Sequence, residues 1–155
     1  MDERAFEAAV LRLEKKLYHT ALGVLWNDAD AADALQETVF RAWRHLPSLR
    51  DEARFDAWMM RILINECRNI QRRGQRRMLP LDEAAAVQAP VEDGFLREAL
   101  RGMPDKYRLP LILHYAEGYG IAEIARMLRL PQTTVRGRLH VGRGKLKALL
   151  EEAER

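Results

Sequence analysis

The sequence contains a single cysteine, Cys67, and no long apolar run. One thiol excludes an intramolecular disulfide and any metal site built from several cysteines. No stretch approaches the roughly 20 apolar residues that span a bilayer, and the N-terminus opens on charged residues rather than on the core of a signal peptide. We therefore expect a cytoplasmic protein in which Cys67, at helical spacing with Met60 and Leu63, is buried and unreactive.

Signals for strands are almost absent, and apolar residues recur at helical spacing along the whole chain. This pattern predicts an all-α protein of two small helical modules joined by a flexible linker. The first module, residues 1–77, is predicted to be a bundle of three or four helices. Residues 78–94 contain two prolines, four acids and no lysine or arginine, as is typical of a linker. Residues 95–155 form the second module.

Helix boundaries follow from capping residues and prolines. In the first module we expect a helix from about Asp2 to Leu25 and a second that begins near Asp28 or Asp30, either of which could cap it, and stops at Pro47. A third helix follows a short loop. The expected helices of the second module span about 95–102, 105–117, 120–128 and 131–152.

No catalytic constellation is visible. The four histidines, His19, His45, His114 and His140, fall in four different elements without the spacing of metal ligands, and no glycine-rich phosphate loop follows a strand. We expect a protein that is not an enzyme, with no cofactor, no metal and no small-molecule substrate.

The net charge of +3 is modest, but the basic residues are concentrated in two segments. Residues 61–77 contain six arginines and one acid, Glu66, and residues 126–147 contain seven lysines and arginines and no acid. Basic segments of this kind suit a polyphosphate partner, because neutralised phosphates release counterions. Two such segments in an otherwise balanced chain favour nucleic acid over solvated helix faces.

Residues 120–135 have the periodicity of a helix-turn-helix. Apolar residues recur at i, i+3, i+4 and i+7 from Ile121 to Leu128, a break follows at Leu130 and Pro131, and a second helix begins. At 100° per residue, its inner face is predicted to contain Val135, Leu139, Gly142, Leu146 and Leu149. The outer face, suited to a major groove, is predicted to contain Thr133, Arg136, Gly137, His140, Val141, Gly144 and Lys147.

Two further surfaces are predicted in the first module. On the third helix, Arg61, Asn65, Arg68 and Arg72 form one polar stripe that, beside Phe55 and Trp58, could hold an unstacked DNA strand. On the second helix, the predicted inward stripe is Ala31, Leu35, Val39, Ala42 and Leu46. Its opposite face combines an aromatic ring with polar residues, as a protein-binding face does, and consists of Asp33, Gln36, Glu37, Phe40 and Arg44.

Three segments together resemble the extracytoplasmic-function (ECF) class of the bacterial sigma-70 family of RNA polymerase sigma factors. They are DALQETVFRAW (33–43), FDAWMMRI (55–62) and residues 120–146, and they occur in the family's order and spacing. The resemblance implies that residues 1–77 are sigma region 2 and residues 95–155 are sigma region 4. A linker that threads through the polymerase toward the RNA exit path would join them.

The resemblance also implies partners and roles for particular residues. The partners are core RNA polymerase, at its β′ clamp helices and β flap, promoter DNA and an anti-sigma factor. The implied polymerase contacts are Asp33, Gln36, Glu37, Phe40 and Arg44. The resemblance implies that the loop 47–54, which ends at Arg54, captures unpaired bases of the −10 element together with Arg61, Asn65 and Arg68. With the other members of the constellation on the third helix, the expected −10 contacts are Arg54, Phe55, Trp58, Arg61, Asn65, Arg68 and Arg72. The implied −35 contacts are Thr133, Thr134, Arg136, Gly137, Arg138, His140, Val141 and Arg143.

This sequence departs from the family pattern at four positions. Leu49 and Asp51 replace a common Phe and Gly in the −10 loop, and Gly137 and Val141 replace a common Ser and Arg in the recognition helix. Two alternatives to an ECF sigma factor follow from the residues. One is a stand-alone helix-turn-helix transcriptional regulator whose N-terminal bundle dimerises or senses. The other is an adaptor that keeps the polymerase-binding face without reading promoters.

Overall fold

A computed structural model describes residues 1–77 and 94–154 of the chain, apart from the side chains of residues 75–77, 94–97 and 153. Within these residues the chain is helical and contains no strand, which confirms the all-α prediction. The chain divides into two compact units, one containing the first three helices and the other containing the last four. The predicted linker, 78–94, lies outside the described residues except for Gly94.

The first unit consists of α1 (Glu3–Leu25), α2 (Asp28–His45) and α3 (Phe55–Arg77). The side chain of Asp2 caps α1 by accepting from the N–H of Ala5 at 2.8 Å. The cap of α2 is Asn27, which accepts from the N–H of Asp30 at 2.9 Å. The prediction that Asp28 or Asp30 caps this helix was therefore wrong. Both aspartates lie inside the first turn, where their negative charge interacts favourably with the positive end of the helix dipole.

The core of the first unit is built from long side chains of α1 and α3 and small side chains of α2. Fully buried large residues include Leu17, Met59, Met60, Leu63 and Ile64. Cys67 is also buried, and burial raises the pKa of its thiol to about 12, so the thiol stays protonated and inert as predicted.

The inward stripe of α2 differs from the predicted one. Its buried residues are Ala31, Ala34, Thr38 and Ala42, whereas Leu35, Val39 and Leu46 are half-buried. Small side chains allow α2 to approach its neighbours closely, and the Thr38 hydroxyl is satisfied by donating to the Ala34 carbonyl at 2.6 Å. The helix is thereby rotated by a fraction of a turn from the orientation that hydrophobicity alone predicts.

The second unit consists of α4 (Gly94–Arg101), α5 (Asp105–Leu111), α6 (Ile121–Leu128) and α7 (Gln132–Ala153). A wider, π-helical turn (Ile112–Ala116) continues α5 and was not predicted. The helices α6 and α7 form the expected helix-turn-helix. Arg129 turns the chain between them in a left-handed conformation, with φ 57°, and α7 begins directly after Pro131.

The second unit packs around α7. Val135 and Leu139 are buried as predicted, and Leu146 and Leu149 are half-buried. Gly142 lies at a close approach between α7 and α5, because a Cβ there would lie 3.2 Å from Cδ1 of Leu111.

Candidate nucleic-acid and protein interfaces

The outer face of α2 is exposed at every predicted position: Asp33, Gln36, Glu37, Phe40 and Arg44. Phe40 is 54% exposed, and the Arg44 guanidinium lies over its ring at 5.6 Å. Trp43, which sequence analysis did not assign to this face, is 45% exposed and lies one turn from Phe40. Because the Trp43 ring also packs on Phe6 at 5.2 Å, the core holds it in place. The face therefore presents two aromatic rings among charged groups.

A network of charges lies beside this face, at an open groove of about 610 Å³ between α2 and α3. Arg41 lies 3.1 Å from the Glu37 carboxylate and 2.8 Å from Glu66. Glu66 is buried, so its ion pair with Arg41 compensates much of the cost of burying the charge. Glu66 is the one acid in the basic segment 61–77, and it ties α3 to α2 through Arg41.

The stripe on α3 lies at the surface. Asn65 and Arg72 are exposed, and Arg61 and Arg68 are half-buried. Trp58 is half-buried beside them.

Phe55 does not lie on this surface. It is 2% exposed, and its ring packs between those of Phe6 and Trp58, each at 5.9 Å. The assignment of Phe55 as a DNA contact is corrected accordingly: the ring is a core residue at the start of α3.

The loop that precedes α3 is short and ordered by local bonds. Its residues form two 3-10 turns, Leu46–Ser48 and Glu52–Arg54. The Asp51 carboxylate accepts from the N–H of Ala53 at 3.0 Å and lies 3.8 Å from the exposed guanidinium of Arg54. Asp51 thus caps the turn that carries Arg54, which is a structural reason for the acid at this position.

Just after the loop, Arg12 of α1 and Asp56 of α3 form a two-pronged ion pair. The two guanidinium nitrogens donate to the two carboxylate oxygens at 3.0 and 2.9 Å. These hydrogen bonds lower the pKa of Asp56 below its ordinary value of 3.8. The pair fixes the start of α3 against α1.

The outer face of α7 is exposed at all of its predicted positions, from Thr133 to Lys147. Of the remaining residues implied to contact DNA, Arg143 is exposed and Thr134 and Arg138 are half-buried. Among the residues that the structure describes, no carboxylate forms an ion pair with Arg136, Arg138 or Arg143. This face therefore presents uncompensated positive charge.

Two residues of the second unit escaped sequence analysis. Tyr115 is 57% exposed, and its hydroxyl accepts a hydrogen bond of 2.6 Å from Nη1 of Arg143. Arg108 is buried, donates to the Met103 carbonyl at 3.1 Å and pairs with Asp105. Burial lowers the pKa of Arg108, and Asp105 opposes that shift. The partner of Tyr115 lies 28 residues away, so no local pattern indicates it, whereas Asp105 lies at i−3 from Arg108 and could have been found as a local ion pair.

The described residues contain neither a candidate membrane span nor a candidate metal site. Across residues 1–77 and 94–154, each helix is too short or too polar to cross a membrane. In the same stretches, no three His, Cys, Asp or Glu side chains come together as metal ligands.

Two family models match the chain. Sigma-70 region 2 matches residues 9–77, and Sigma-70 region 4 matches residues 96–146. The chain belongs to the ECF class of the sigma-70 family of RNA polymerase sigma factors. This confirms the resemblance, and the alternative of a stand-alone regulator is not favoured.

Individual relatives span nearly the whole chain. The ECF RNA polymerase sigma factor SigM of Mycobacterium tuberculosis is 32% identical over 154 residues, which cover 96% of this chain and 79% of the relative. SigW of Bacillus subtilis, also an ECF sigma factor, is 28% identical over 97% of this chain and 91% of its own length.

Two solved structures share the fold. RpoE of Bartonella quintana, in complex with the anti-sigma factor NepR, aligns with a TM-score of 0.80 at 21% identity, covering 96% of this chain and 98% of that chain. CnrH, in complex with the cytosolic domain of CnrY, aligns with a TM-score of 0.76 at 26% identity, covering 97% and 90% of the two chains.

Proposed function

We propose that the chain binds core RNA polymerase, recognises the −35 and −10 elements of a promoter and thereby starts transcription. The observation that carries this proposal is the presence, in one chain, of two different exposed surfaces. One is the mixed aromatic and charged face of α2, and the other is the basic face of α7 in a helix-turn-helix. A protein that joins a polymerase to a DNA sequence needs both kinds of surface.

The α2 face is the proposed contact with the β′ clamp helices. Aromatic rings within a polar rim are typical of the residues that dominate protein interfaces. Phe40 is the proposed centre, with Trp43 beside it, and Asp33, Gln36, Glu37 and Arg44 form the rim. The second unit is proposed to contact the β flap.

The surface of α3 and the preceding loop is the proposed −10 site. Arg61, Asn65, Arg68 and Arg72 follow one side of α3, and Arg54 projects from the loop before it. Arginines of this kind can hold the phosphates of an opened strand, and Trp58 can stack on a base that leaves the duplex. Phe55 supports Trp58 from the core in this proposal.

The N-terminal half of α7 is the proposed −35 reader, because recognition helices contact base edges with their first turns. Thr133, Arg136 and His140 are its polar contacts, and Gly137 leaves room for close approach of the backbone. Val141 is exposed and apolar, which suits a thymine methyl group rather than a phosphate.

An anti-sigma factor is a further proposed partner, since RpoE of Bartonella quintana, which shares the fold, is in complex with the anti-sigma factor NepR. We place this activity in the cytoplasm and assign the chain no catalytic step, cofactor or small-molecule substrate of its own.

A run-off transcription assay tests the proposal. Core polymerase is incubated with the chain and a library of DNA fragments, including the region upstream of its own gene. Transcripts that begin at discrete sites only when the chain is present support the proposal. Binding to duplex DNA without binding to core polymerase, and without transcripts, would refute it and favour a stand-alone regulator. Polymerase binding without transcripts would instead identify an adaptor.

A further inference from the structure

Arg143 lies at the flank of the α7 outer face. Arg143 lies seven residues after Arg136, three after His140 and four before Lys147. At these spacings the four basic side chains lie along one side of α7. Contacts from the flank of a recognition helix reach the DNA backbone more readily than the base edges. The position of Arg143 therefore suits a phosphate.

The Arg143 guanidinium is held by an uncharged acceptor. Its Nη1 donates to the Tyr115 hydroxyl at 2.6 Å, whereas Arg12 and Arg41 of the first unit are held by carboxylates. A carboxylate would cancel the positive charge, but a phenol orients the guanidinium and leaves the charge intact. Four of its five N–H groups remain for other acceptors, in a fork that matches phosphate oxygens.

Tyr115 is itself held in place, although it is more than half exposed. Its ring makes an edge contact with the ring of His114, at 4.8 Å between centroids and 79° between planes. Nδ1 of His114 lies 2.9 Å from the carbonyl oxygen of Tyr119, which anchors the histidine to the turn before α6. Both rings belong to the π-helical turn after α5, and such turns are frequent at functional sites.

We propose that Tyr115 is a positioning residue for DNA binding, which holds Arg143 at the flank of α7 so that its guanidinium binds a backbone phosphate. The inference rests on the proposed function of α7 as the DNA-binding helix. It adds a residue outside the helix-turn-helix that determines affinity without reading sequence.

To test the inference, the chain is first bound to core polymerase. The equilibrium affinity of this complex for a promoter duplex is then measured at several salt concentrations. The duplex is one selected by this complex from a random library. The variants are Y115F, R143Q and the double variant. The matched control is Y107F, because Tyr107 contacts its neighbouring cations, Lys106 and Lys145, through the face of its ring. Y115F removes one exposed hydroxyl and keeps the ring, so the thermal unfolding of the chain should not change.

We expect R143Q to weaken binding about tenfold and to reduce the slope of log affinity against log salt by about one, as the loss of one phosphate contact does. Y115F should weaken binding about threefold, the effect of one lost hydrogen bond. The double variant should match R143Q, and Y107F should match the wild type. Substituted −35 sequences should be weakened by Y115F to the same degree as the selected one.

Wild-type affinity in Y115F, additive effects in the double variant, or an unchanged salt slope in R143Q would each overturn the inference. A change in sequence preference in Y115F would also overturn it, since a phosphate contact carries no base information. Failure of the library selection counts against the proposed function instead. Binding of the free chain to a random-sequence duplex at low salt then decides the inference alone, because a phosphate contact needs no promoter.

Discussion

The outer faces of α2 and α7 differ in how their charges are arranged. On α2, acids precede and arginines follow the exposed ring of Phe40, and Arg41 forms ion pairs with Glu37 and Glu66. On α7, the outer face from Thr133 to Lys147 has no acid, and Arg143 is held by a phenol. Compensated charge around apolar area suits a protein partner, whereas uncompensated positive charge suits a polyphosphate. The α2 face of the first unit thus suits a protein partner, and the α7 face of the second unit suits DNA.

Arg108 is the exception within the second unit, because this arginine is buried and serves the fold. We expect Arg108→Met to destabilise the second unit by about 2–3 kcal/mol, since the carbonyl of Met103 loses a charged donor and Asp105 loses its partner. Hydrogen exchange resolved along the chain would measure the loss. The exposed Arg101→Met is the matched control and should have little effect.

Equal destabilisation by both Arg108 and Arg101 variants would break the contrast between buried and surface arginines. Tryptophan fluorescence adds a second check. All three tryptophans lie in the first unit, so their fluorescence reports the unfolding of that unit. The midpoint of this transition should be unchanged in Arg108→Met.

Phe40 tests the face of α2. Phe40→Ala should weaken binding to core polymerase about 30-fold, or about 2 kcal/mol, because it removes the proposed central ring without disturbing the core. Leu11→Ala removes an exposed apolar side chain from α1 and is the matched control. Titration of labelled chain with core polymerase provides the affinities. If Leu11→Ala weakened binding as much as Phe40→Ala, the α2 face would not be the specific contact with core polymerase.

Two glycines of α7, Gly142 and Gly144, should affect the stability of the second unit differently when they are replaced by alanine. Nothing lies within 4 Å of a Cβ at Gly144, so Gly144→Ala should stabilise the second unit by up to about 1 kcal/mol. The same change at Gly142 should gain less or destabilise, because its methyl would press on Leu111 and Tyr107. Hydrogen exchange of the C-terminal half of α7 is the measurement. Because Gly142 and Gly144 weaken this half of α7, we expect it to be incompletely protected in the wild-type free chain, and complete protection would contradict that prediction.

The Arg12 and Asp56 pair has the smallest expected effect, below about 1 kcal/mol, because both side chains are partly exposed. The folded-state pKa of Asp56 lies below its ordinary value of 3.8, so the pair stabilises the first unit above that pH. The stabilisation is lost as pH falls through the lowered pKa. Urea unfolding followed by tryptophan fluorescence should therefore distinguish Arg12→Gln from wild type at neutral pH and not in strong acid. A difference that persisted in acid would show that the arginine acts through packing.

Sequence patterns by themselves determined the helical class, the two units and the exposed faces of α2 and α7. These features repeat at the period of the helix or depend on composition over many residues, so no single contact decides them. The exposed positions of α7 from Thr133 to Lys147 follow from this periodicity. The inert thiol of Cys67 follows from its apolar neighbours in the same way.

Only the tertiary structure decided which individual side chains reach the surfaces or support them. Phe55 became a core residue because Phe6 of α1 and Trp58 enclose its ring. The buried stripe of α2 shifted to small residues because close packing against two helices outweighed the size of Leu35 and Val39. Tyr115 depends on a partner that is brought near by the fold, because it lies 28 residues from Arg143. Contacts between distant segments leave no periodic trace in the chain, and for that reason they required the structure.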